Sequence, residues 1–201
     1  MNPETLLEFW FAEQPKGLSN QATRSRWFAS GTDFDTECYN LFESWVHAAL
    51  KGELADWRNT TLHALALIIL CDQIPRNIYR DSAAAFDADQ TALETARAIV
   101  ETNAHKELNW DQRAFAYLPF EHSESLLDQH TSVGLFTQLR DEAKRSGDHQ
   151  ALQYTGNYLQ YAHAHRQVIE EFGRFPHRNK TLARTSTEAE KRYLEQGGGF
   201  S

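Results

Sequence analysis

The stretch Leu62-His63-Ala64-Leu65-Ala66-Leu67-Ile68-Ile69-Leu70-Cys71-Asp72 decides how this sequence folds. From Ala64 to Cys71 every side chain is apolar, and a helix with no polar face has to be covered on all sides. The segment opens near Thr61 and is closed by Pro75, which cannot continue a helix. It is also far short of the roughly 20 apolar residues that a bilayer demands. The reading that remains is the central helix of a bundle.

Working outward, helix punctuation recurs along the chain. Asn2 and Pro3 form an N-cap and N1 pair for a helix ending in Phe9-Trp10-Phe11, and Thr32-Asp33 opens another that stops at Gly52. Further helices are expected over Ala88 to about Asn103, Asp111 to Leu118 (halting before Pro119), His122 to about Lys144, and His149 to Phe172. Thr185 to Gln196 reads as the last, with Thr185 and Glu188 as its capping box. No alternating Val/Ile/Thr stretch and no Asn-Gly or Asp-Gly hairpin turn appears. The fold class is therefore all-α, about eight helices in antiparallel hairpins. Residues 1–201 read as one domain, with 197–201 as a flexible tail.

Composition mainly excludes. The chain has 201 residues, 41% of them hydrophobic and 12% aromatic, which is enough to bury a core. Its 28 acidic and 20 basic residues leave a formal charge of −8, which argues against nucleic acid and anionic membranes as partners. Two cysteines, Cys38 and Cys71, without C-x-x-C spacing fit a reduced compartment, and Met1-Asn2-Pro3-Glu4 lacks an export signal, so a cytoplasmic location is expected. The sequence sets no oligomeric state.

Certain polar residues do not suit a plain bundle. Asp72 ends the apolar helix, where the macrodipole disfavours a carboxylate, and Arg76 and Arg80 follow it. They form either a structural brace or part of a ligand site. The segment Leu118-Pro119-Phe120-Glu121-His122-Ser123-Glu124 gathers ionisable groups at an expected helix start. Tyr154, Tyr158, Tyr161, His165, Ile169 and Phe172 fall on one helical stripe, a core network or a pocket wall. Phe172 to Arg184 carries Arg174, His177, Arg178, Lys180 and Arg184 with no acid, in an otherwise acidic chain. Its arginines meet Glu121, Glu124 and Asp72, or they hold an anion.

Phosphate-binding loops, nucleophile elbows and H-E-x-x-H motifs are missing, so no cofactor is expected. Metal binding by His122, His165 or His177 with Glu121 or Glu124 has no fixed ligand spacing behind it, and no metal is expected either.

Several motifs resemble a known family. Phe9-Trp10-Phe11, Arg26-Trp27-Phe28, Cys71-Asp72-Gln73-Ile74-Pro75-Arg76-Asn77-Ile78-Tyr79-Arg80, Tyr117 to Glu124, and Phe172 to Asn179 together look like the bacterial family known as domain of unknown function 924. Cys71 and Ala183 stand where that family's pattern has Leu and Gly. The resemblance implies an all-helical fold of the tetratricopeptide-like superfamily and implies no activity.

Two functional readings follow. In the first, Asp72, Arg76, Glu121, His122, Glu124, His165, Arg174, His177 and Arg178 converge on a polar pocket for a small anionic or zwitterionic metabolite. If a reaction occurs there, His122 or Glu121 acts as acid or base and Arg178 stabilises negative charge. In the second, the same charges pair with one another, and exposed Trp10, Trp27 and Trp57 bind a partner peptide on a helical groove.

Overall fold

The computed structural model describes residues 1–12, 17–27 and 32–200, leaving aside the side chain of Thr32. Phe28 and Ser201, named above, lie outside the described residues. The chain is all-helical, and among the described residues there is no strand.

Helix α1 (Pro3–Phe11) begins on the Asn2 cap, whose side chain accepts from the Glu4 amide. Next come α2 (Gln21–Trp27), not expected from the sequence, and α3 (Thr32–Leu50). The apolar stretch is α4 (Thr61–Asp72), capped by the Thr60 hydroxyl, and Ala64 through Asp72 are all buried. It packs against α1, α3, α6 and α7, so it is the centre of the main core. Leu62 is 48% exposed, because the first turn of α4 reaches the surface.

Helices α5 (Ile74–Ile78) and α6 (Asp89–Glu101) follow, then α7 (Trp110–His122), α8 (Leu126–Ser146), α9 (His149–Phe172) and α10 (Glu188–Glu195). Gly147 and Asp148 alone separate α8 from α9, and the two pack along their length as an antiparallel hairpin.

Three sequence expectations need correction. Pro119 lies inside α7, which continues to His122. The missing proline amide is outweighed by packing and by Gln129, whose Nε2 donates to the carbonyls of Glu121 at 2.6 Å and Ser123 at 2.7 Å. His122 therefore ends α7 and does not begin α8. The capping box of α10 is Thr187 with Glu190, two residues beyond the expected pair.

Trp10, Trp27 and Trp57 are all buried, so no exposed tryptophan platform for a peptide exists there. Trp10 and Trp27 meet Phe115 edge-on in the core. No described helix is long and apolar enough to cross a membrane.

Candidate functional site

The C-terminal ends of α4, α7 and α9 and the start of α6 meet at one end of the bundle. Gly173 takes φ 70° after α9, a conformation glycine adopts without penalty, and turns the chain so that Arg174 to Arg178 crosses back over that end. The short 3-10 turn Pro176–Arg178 then places His177 and Arg178 beside the helix ends.

Asp72 is 1% exposed. Its Oδ1 accepts from His122 Nδ1 at 2.8 Å and lies 3.4 Å from Arg76 Nη1, while Gln73 Nε2 donates to Oδ2 at 2.5 Å. Burial alone would raise this carboxyl; the Arg76 charge and the hydrogen bonds from His122 and Gln73 hold it well below the carboxylate range. Arg76 also donates to the Asp72 carbonyl, closing the end of α4, and grips Asp89 bidentately at 2.9 and 3.0 Å. Asp89 was not singled out in the sequence. Arg80 does not reach this site and pairs with Asp35 at 2.7 Å.

Glu121 and His122 occupy the last turn of α7. Glu121 is 3% exposed, and burial, followed by the Asp72 charge, pushes its carboxyl up to about 8. The negative end of the α7 dipole acts in the same direction. Its Oε1 lies 3.2 Å from His165 Nδ1, and its Oε2 is sealed from water without a hydrogen-bond partner. Burial lowers the His122 pKa, so the ring is neutral and its Nδ1–H donates to Asp72.

His165, on α9, donates from Nδ1 to the Tyr161 carbonyl at 2.9 Å. Burial first, then the neighbouring His122, lowers it to about 3. Phe200 stacks on its ring with centroids 3.6 Å apart, and Phe175 meets it edge-on. Where the sequence suggested a flexible tail over 197–201, the Gly199 amide donates to the Tyr193 hydroxyl at 3.1 Å and Phe200 covers His165. The tyrosines of the expected stripe do not join this site. Tyr161 is 60% exposed, and Tyr158 lies about two turns away, hydrogen-bonded to Arg24 and Asp111.

Arg178 is 8% exposed, with Phe175 at 4.4 Å and Phe86 at 4.9 Å from its guanidinium carbon. The carboxylate paired with it is Asp89, at 4.0 Å, already held by Arg76. Its Nε is sealed without a partner, and its guanidinium makes no hydrogen bond among the described residues. Burial, then Arg76, lowers its pKa to about 10. His177 alongside is lowered to about 4, by burial and then Arg178, and its Nδ1 is also unpartnered.

Two of the expected site residues are used elsewhere. Glu124 binds Arg184 through both oxygens, at 2.7 and 3.0 Å, and accepts from the Phe175 amide. Arg174 binds Glu190 at 2.6 and 2.9 Å. These pairs fasten the Phe172 to Arg184 segment to the α7–α8 connection and to α10 and leave no capacity for a guest. Asp72, Arg76, Glu121, His122, His165, His177 and Arg178 do come together. Phe86, Phe175 and Phe200, which the sequence reading passed over as site residues, wall them in. Two surface clefts, one lined by Asp35, Tyr39 and Asn77 and the other by Leu7, Phe11 and Gln112, include none of these residues.

The family of bacterial proteins of unknown function DUF924 matches residues 6–198. The chain is also similar to a solved structure, the protein of unknown function ATU0120 from Agrobacterium tumefaciens, with a TM-score of 0.78 at 32% identity over 97% of each chain. Among curated proteins none matches. With a match from the first helix to the last, this protein belongs to the bacterial DUF924 family.

Proposed function

We propose that this chain binds a small anionic or zwitterionic metabolite at the Arg178 face of the cluster. One observation carries the reading: a buried guanidinium holds its charge with no hydrogen bond, although burying unsatisfied charge is costly. A carboxylate or phosphate would supply the missing acceptors in the fork geometry that arginine favours. His177, with its unpartnered Nδ1, stands on the same side.

The catalytic half of the reading assigns proton transfer to Glu121 and His122. Glu121 is held protonated near neutral pH and His122 keeps a free Nε2, so an acid and a base lie side by side. Entry of a guest requires the covering rings, Phe200 over His165 and Phe86 over Arg178, to swing aside. We also assign the α8–α9 hairpin to a tetratricopeptide-like array. The cytoplasm is the compartment in which free Cys38 and Cys71 are expected to stay reduced.

The test is thermal shift with inorganic phosphate and a panel of small carboxylates. At least one anion is expected to raise the melting temperature of the wild-type chain with a saturable dose dependence, and Arg178→Met is expected to abolish the rise. Equal shifts in both proteins would reject the site.

A further inference from the structure

We propose that Glu121, His122 and His165 form a site for one divalent first-row transition cation, with coordination positions left open. One ligand atom from each of the three lies within 4.8 Å of the others. Two imidazoles and a carboxylate are the donor set that zinc and iron(II) accept while keeping positions free for water or substrate.

Three observations support a metal rather than a coincidence of side chains. Both histidines are oriented from behind by their other ring nitrogen: His122 Nδ1 donates to Asp72 and His165 Nδ1 donates to the Tyr161 carbonyl. Metal-binding histidines are ordinarily held in this way, by a carboxylate or a backbone carbonyl. Neither Nε2 makes a hydrogen bond among the described residues, so each keeps a lone pair to offer. The third observation is Glu121 Oε2, an acceptor buried without a partner, which a cation would satisfy.

Charge and access agree with this. Asp72 and Asp89 balance Arg76 and Arg178 while Glu121 keeps its proton, and a dication that displaces this proton to solvent leaves the cluster with one positive charge. Phe200 covers the face of the His165 ring, whereas the lone pair lies in the ring plane, so the stack leaves coordination open. Ligand atoms on zinc stand about 3–3.5 Å apart, given metal–ligand bonds of about 2.0–2.2 Å, so the three side chains must draw together on binding, and the Glu121 carboxylate, whose Oε1 lies 3.2 Å from His165 Nδ1, must turn toward the ring's Nε2. The proposal stands apart from the anion contact, since it uses no donor from Arg178, but a bound cation takes the Glu121 carboxylate and the His122 Nε2 and so replaces the acid–base assignment of those two residues. If both hold, the metal and Arg178 would face one bound anion.

The experiment titrates chelator-treated full-length protein with Co2+ and follows the visible d–d absorption, with Zn2+ as competitor. Saturation at one equivalent and displacement by Zn2+ are expected. Glu121→Gln and His165→Gln should each weaken binding at least tenfold, and His130→Gln, at an exposed histidine on α8, should leave it unchanged. Far-UV circular dichroism of each metal-free variant checks folding. Cobalt-edge X-ray absorption on the wild-type complex needs no variant and should count two imidazoles. The proposal is overturned by the absence of saturable one-equivalent binding, by fewer than two imidazoles on the ion, or by folded Glu121→Gln and His165→Gln proteins that bind like wild type.

Discussion

Two arginines 102 residues apart in sequence, half-buried Arg76 and buried Arg178, should respond differently to neutralisation. Arg76→Met strands the Asp72 carboxylate, removes both hydrogen bonds to Asp89 and frees the Asp72 carbonyl at the end of α4. Breaking such a buried pair costs about 3–5 kcal/mol. Arg178→Met strands nothing, because Asp89 keeps Arg76 and no hydrogen bond is lost. A guanidinium lowered from 12.5 to about 10 is disfavoured as a cation by roughly 3 kcal/mol. Against that stand cation–π contacts with Phe86 and Phe175, about 1–2 kcal/mol each when desolvated, and the methionine stem keeps much of the ring contact. The two sides nearly cancel, so Arg178→Met should lie within about 1 kcal/mol of wild type. Urea unfolding followed by circular dichroism and tryptophan fluorescence reads both variants, with unchanged slope as the condition for comparing them. If Arg178→Met destabilises as much as Arg76→Met, Arg178 is a brace and the anion reading loses its supporting observation.

Three further expectations follow from buried polar groups and the core. Asp111→Ala leaves Arg24 buried without its carboxylate and removes the acceptor of the Ser19 amide and the Tyr158 hydroxyl; about 3–5 kcal/mol should be lost, a fall of roughly 10 °C in a melting scan. His105, buried beside Tyr117, is lowered from 6.5 to about 4 by burial and then by Arg113. Its contribution is complete above pH 6.5 and disappears as pH falls through about 4, by at most about 3 kcal/mol. Unfolding free energies measured across that window should fall less steeply in His105→Gln than in wild type, and parallel curves would refute the assignment. Ile68→Ala, at the fully buried middle of α4, should cost about 2–5 kcal/mol by calorimetry, and a loss under 1 kcal/mol would show that the core collapses around it.

Much of the fold could be read locally. The apolar run from Ala64 to Cys71, the Asn2–Pro3 start and the Gly52 stop after α3 are short-range signals, and each lies where the helix ends or core require. Helix α2 was missed because Gln21–Trp27 carries no apolar periodicity; its order comes from Arg24 and Trp27, which find partners in α7, α9 and α1. Pro119 misled for the opposite reason, since its local cost is real but is exceeded by tertiary hydrogen bonds from Gln129.

The candidate site divides along the same line. Composition and periodicity determined by themselves that the chain is all-helical, that α4 is its centre, and that Asp72, Glu121, His122 and the Phe172–Arg184 segment carry unusual polarity. Only the tertiary structure decided which charges neutralise which. Arg174 took Glu190, Glu124 took Arg184 and Asp89 took Arg76, leaving Arg178 Nε, Glu121 Oε2 and the two imidazole Nε2 atoms without a hydrogen-bond partner among the described residues. Helix formation depends on neighbours three and four residues apart, which a sequence displays directly. Pairing between Asp72 and His122, or His165 and Phe200, depends on how whole helices cross, and that is set by the packing of the core between them.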